Sequence, residues 1–197
     1  MRRVAALLLV LLLACGCARS GPQADGRSCA DALGDTAFPV DSAQDWVTYG
    51  DHLVAARVRP TTEGGWVELV PHTTLWSRPN APATPPSVRA WSDAASSEGV
   101  DLLENHAYLA LLTRWQPAGE APEWVWMDIL PFDDAVVGHG PDQCWPAGSR
   151  PAREQLWGLD EAGVRRLLAS TPPDPRAAPY ADLEPGERYQ RVAAHRG

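Results

Sequence analysis

Ala107-Tyr108-Leu109-Ala110-Leu111-Leu112-Thr113-Arg114-Trp115 is apolar at odd and even positions alike. A strand with one wet face alternates, so a run that is apolar on both parities belongs to a strand covered on both sides. The Pro- and Gly-bearing loop Gln116 to Glu123 follows, and Trp124-Val125-Trp126-Met127-Asp128-Ile129-Leu130 then returns as a hairpin partner. Toward the N-terminus, Ser87 to Trp91 reads as a short strand after the loop Pro79 to Pro86. Before that loop, Trp66 to Trp76 alternates as a longer strand. Pro71 removes a ladder donor in its middle, so this strand lies at an edge or bulges there. His52 to Arg59, closed by Pro60 and the Thr61–Gly65 turn, makes the fifth strand, and Ala135-Val136-Val137 would make a short sixth.

Helices flank the strands. Ser42 and Asp45 are spaced as a capping box, which opens a brief helix ending near Gly50. After Cys144 the pattern changes. Leu159 to Ser170 is helical, with Val164, Leu167 and Leu168 on one face, Asp160 placed to cap, and Arg165 and Arg166 pointing away. Thr171 to Gly186 is Pro-rich and irregular, and Arg188 to His195 forms a last turn or two of helix. The expected class is mainly β within α+β, a small antiparallel barrel or sheet with two short C-terminal helices.

The N-terminus has the parts of an export signal. Arg2 and Arg3 precede an unbroken apolar run of eleven, Val4 to Ala14. A spanning helix needs about 20 apolar residues, so this run has the length of a cleaved signal's apolar region. Leu12-Leu13-Ala14-Cys15 resembles the lipobox of bacterial lipoproteins. The resemblance implies cleavage before Cys15 and a diacylglyceryl group on its thiol. Cys17 is the alternative, and a plain signal cleavage near Ala18 is a further one. Lipidation of Cys17 would leave Cys29 and Cys144 as an even pair, whereas lipidation of Cys15 leaves Cys17 over. The aliphatic Leu12 three positions upstream favours Cys15. The chain then divides into a signal at 1–14, a lipidated tether at 15–28, a β-rich domain at 29–150 and a Pro-rich helical segment at 151–197.

Export brings an oxidising compartment, so Cys29 and Cys144 are expected to pair across the β region. A bridge closing about 115 residues would contribute on the order of 4–5 kcal/mol in the loop-entropy account. Removing Met1 to Ala14 takes Arg2 and Arg3 away and leaves a formal charge of −10. So acidic a chain lacks the basic patch that nucleic acid or anionic lipid requires. Attachment would then rest on the lipid, which holds the protein at the extracytoplasmic face of the cell membrane.

Three phrases carry a second resemblance: Asp51-His52-Leu53-Val54-Ala55-Ala56-Arg57-Val58, Leu75-Trp76-Ser77-Arg78-Pro79, and Asn105-His106-Ala107-Tyr108-Leu109. Together they resemble a family of uncharacterised actinobacterial secreted proteins. Their order is also similar to the OB-like barrel of the netrin and tissue-inhibitor class. That likeness covers roughly Cys29 to Cys144 and implies a small OB-like barrel. The inhibitor class has several disulfides and an inhibitory N-terminal Cys free of lipid, so its activity does not carry over.

Motifs of chemistry are sparse. There is no G-x-S-x-G elbow, no S-x-x-K, no phosphate-cradling glycine loop and no paired zinc spacing among His52, His72, His106, His139 and His195. No cofactor is expected. The nine Trp offer either a large-residue core or a stacking platform. Three readings follow. The first is a non-enzymatic binding or interaction module, meeting a protein or ligand through Trp115, Trp124 and Trp126 near the hairpin tip. The second is a carbohydrate-binding module using coplanar Trp rings. The third is a hydrolase using Asp133, Asp134 and His139, the place where adjacent carboxylates and a Gly-flanked His could do acid–base work.

Overall fold

Five antiparallel strands carry the molecule: β1 (His52–Pro60), β2 (Trp66–Ser77), β3 (Val88–Trp91), β4 (Ala107–Trp115) and β5 (Glu123–Pro131). The computed structural model describes residues 40, 42–62, 64–92, 102–116, 121–141 and 150–194. The signal run, Cys15, Cys17, the tether, Cys29, Cys144 and His195 lie outside them. No helix among the described residues is long and apolar enough to cross a membrane.

The strands run in the order β3-β2-β1-β4-β5. The outer strands β3 and β5 also meet, so the sheet curls into a nearly closed, OB-like barrel. The double-sided apolarity of β4 now has its cause. Tyr108, Ala110 and Leu112 point into the barrel with Val54, Ala56 and Ile129. Leu109 and Leu111 point outward with Leu53 and Ala55, against helices. Those helices are α1 (Ala43–Tyr49) before the sheet, and α2 (Arg150–Leu156), α3 (Glu161–Ser170) and α4 (Pro185–Ala194) after it. A Pro-containing 3-10 segment, Pro175–Tyr180, joins α3 to α4. The C-terminal region thus holds one helix more than the two read from the sequence, and its apolar residues share one core with the sheet.

Local chemistry explains most boundaries. Ser42 caps α1 by accepting from Asp45 N at 3.1 Å, while its own hydroxyl donates to Asp45 Oδ2 at 2.7 Å. Asp160 caps α3 by accepting from Gly163 N at 2.7 Å. Trp46 is fully buried under the outer face of the sheet, and its indole N–H donates to Asp128 Oδ2 at 3.2 Å. Pro71 meets both expectations at once. Opposite β1, Ala55 faces Thr73 and Ala56 faces Pro71, so His72 is the extra residue of a bulge. Beyond Leu69, β2 also outruns its partner β3 and becomes an edge.

Ala135 to Val137 does not form a sixth strand. Asp133–Ala135 is a 3-10 turn, and Val136 makes a single bridge to Asp160. Left-handed backbone at Asp134 and Ala135 breaks the extended run, and Val137 plugs the core with no exposed surface.

Candidate functional site

The start of β4, the end of β5 and the middle of β1 and β2 come together at one rim of the barrel. Ala107 lies beside Arg57 of β1, and Arg57 in turn lies beside Val70 of β2. The bulge sets His72 next to this point. After β5 the chain turns through Asp133, Asp134 and Ala135, and α3 begins nearby with Glu161. Apart from Val70, these residues line a pocket of about 570 Å³ together with Asn105 and Phe132. That size falls in the usual range for small-molecule sites, about 300–1,000 Å³.

Asp133 pins the rim. Its Oδ1 accepts from Ala107 N at 2.7 Å, and its Oδ2 lies 2.5 Å from His106 Nδ1. Its backbone N–H donates to His139 O at 2.8 Å. This bracing holds three non-glycine residues in the left-handed region: Asn105 at φ 66°, Asp134 at φ 54° and Ala135 at φ 57°. Asn tolerates that region, but Ala does not, and the conformation costs about 1–2 kcal/mol. Strain of this kind persists only where its surroundings over-determine it.

Charges of both signs stand around the pocket. Among the described residues, Arg57 and Glu161 make no ion pair and no side-chain hydrogen bond. Asp134 is 89% exposed and meets only the His139 ring, at 3.8 Å. Partial burial, and then Arg57, lower the pKa of His72 from 6.5, while Glu161 opposes them. The neutral form of His72 therefore predominates at pH 7. The lining contains no serine, threonine or cysteine, and no three metal-ligating side chains gather among the described residues.

Of the three residues read for acid–base work, the structure joins Asp133 to His106 and sets Asp134 near His139. Sequence reasoning missed His106, Arg57, His72, Asn105 and Glu161 as partners. Only the Pro71-His72 step carried a local signal, since a proline inside a strand marks a bulge that re-aims its neighbour.

The tryptophans are dispersed. Trp124 and Trp126 are half-buried against the barrel interior, and Trp124 lies 5.4 Å from the His52 ring. Trp115 is half-buried and packs against Gly186, where a Cβ would overlap its ring. Among the described residues, the exposed rings are Trp91 at 41% and Trp157 at 48%. Trp91 meets Trp66 at 81°, not in parallel, and Arg89 sits 4.2 Å over Trp66. His52 is structural, with its ring nitrogens bonded to Ser77 Oγ and Pro82 O.

A second cavity, of about 530 Å³, opens near the other end of β4 beside Arg78 and Arg188. Comparison with protein-family models, with curated proteins and with solved structures gave no match.

Proposed function

We propose that this chain is an exported, lipid-anchored binding module on the extracytoplasmic face of the cell membrane, taking a small polar ligand at the barrel rim. The observation that carries the binding reading is the rim pocket. It combines a usable volume, charged side chains that the fold does not consume, and a braced, strained backbone. A lining without a hydroxyl or thiol nucleophile favours binding over covalent catalysis.

The anchoring reading rests on Leu12-Leu13-Ala14-Cys15 behind an eleven-residue apolar run, and on a body too acidic to adhere to anionic lipid. Mass spectrometry of the mature N-terminus tests it. A diacylglyceryl-modified terminus at Cys15, lost in Cys15→Ser, is expected. An unmodified terminus at Ala18 or beyond would overturn the lipoprotein reading, and modification at Cys17 would move the anchor two residues. Isothermal titration of the lipidated chain in detergent micelles tests binding, with small charged and neutral metabolites as probes. Saturable binding that is lost in Asp134→Ala/Glu161→Gln is expected. Binding that survives the double substitution would place the ligand elsewhere.

A further inference from the structure

The rim pocket presents opposite charges that do not meet. Arg57 projects from β1 and Glu161 from the first residue of α3, and both influence His72, which stands between their elements on the β2 bulge. They nevertheless form no ion pair with each other. Neither is tied up in a side-chain bond, although Glu161 lies in the first turn of α3, where its charge suits the helix N-terminus. Capping of α3 is done by Asp160, so Glu161 is not needed for it. Arg57 sits on a strand already paired on both sides.

The neighbouring groups narrow the choice of ligand. Asp133 is already committed to His106 and the Ala107 N–H. Asp134 is the second carboxylate open to the pocket. A ligand carrying only negative charge would meet Arg57 but face Glu161 and Asp134. A divalent cation would meet the carboxylates but face Arg57, and the described residues gather no ligand set for it. Only a ligand bearing both signs satisfies both sides of the pocket. A guanidinium takes a carboxylate in a two-pronged grip, and carboxylates take an ammonium as donor.

We propose that the ligand of the rim pocket is a small zwitterion of the amino-acid class, its carboxylate held by Arg57 and its ammonium by Glu161 and Asp134. This rests on the binding reading above and names the substance bound there. Neutral His72 adds a hydrogen-bonding group without a third charge. The strained Asp134–Ala135 step fixes where the Asp134 carboxylate departs from the backbone.

The test is isothermal titration of the lipidated full chain in micelles against the twenty L-amino acids and dialanine. The best binder is then compared with its N-acetyl and C-terminal amide derivatives. Each blocked derivative is expected to bind about tenfold or more weaker, the range of one charge-assisted hydrogen bond. Glu161→Gln should weaken the zwitterion by a similar factor yet leave the N-acetyl derivative unchanged. Arg57→Met should do the same for the amide, and Arg57→Lys should recover part of the loss. Circular dichroism of each variant establishes that the fold is intact. If a blocked derivative binds as well as the parent, or only anions or amines bind, the zwitterion is wrong while the pocket stands. If wild-type protein binds none of the probes, and none of the charged or neutral metabolites, both readings fall.

Discussion

The two ends of β4 treat charge in opposite ways. At the far end Arg188 is 5% exposed and all but exhausted on carbonyls. It donates to Thr48 O, to Tyr180 O at 3.1 Å, and to Ala181 O and Leu183 O, each at 2.8 Å. Burial, with Arg78 acting in the same direction, lowers its pKa from the ordinary arginine value, yet it stays charged. Beside it, fully buried Asp51 binds Arg78 at 2.7 Å and accepts from Arg114 N at 2.9 Å, tying β1, β2 and β4 together. At the near end, Arg57 and Glu161 stand unpaired, and Asp134 meets only the His139 ring, around a cavity of similar size. A buried charge with every partner supplied by the chain is part of the fold. Charges left facing a cavity are available to something else.

This contrast can be broken at either end. The largest effect is expected from Arg188→Met, which strips the donor from four carbonyls, Thr48 O among them. Urea unfolding should show a loss of about 3 kcal/mol, and a neutral result would mean the carbonyls find other donors. Asp51→Asn should cost about 2 kcal/mol, less than a fully buried pair because Arg78 keeps some exposure. Ala135→Gly should act in the other direction, adding up to about 1 kcal/mol by relieving the left-handed strain. A loss there would show that the turn is held by the Ala135 methyl contacts and is not strained.

The smallest effect concerns pH. The folded-state pKa of His72 is lowered, so below pH 6.5 the unfolded chain binds the proton more readily. Stability should therefore fall as pH drops from 6.5 toward the folded value and level off below it. His72→Gln should flatten that part of the stability–pH curve, and an unchanged curve would assign it to another group.

Much of the barrel was legible because each strand carries its own signal. The two-sided apolarity of β4, the alternation of β2 and the proline within it each follow from local rules. The α3 boundary was readable from Asp160 for the same reason. The rim pocket was not, because Arg57, His72, Asn105, Asp133 and Glu161 are spread over the chain and meet only when the sheet curls. Nor was the loss of the sixth strand, since Ala135-Val136-Val137 has strand composition and only the left-handed turn at Asp134 and Ala135 decides otherwise. Composition left the nine tryptophans open between a core and a platform, and most of those described serve as wedges between layers, as Trp46 does under the sheet and Trp115 against Gly186.

The most direct measurement compares the two ends in one protein by urea unfolding. Arg57→Met combined with Glu161→Gln should change the unfolding free energy by less than about 1 kcal/mol, most of it from Glu161 in the first turn of α3. Arg188→Met should lose about 3 kcal/mol under the same conditions. If the rim pair instead costs as much as Arg188, its charges hold the fold together and are not spare for a ligand.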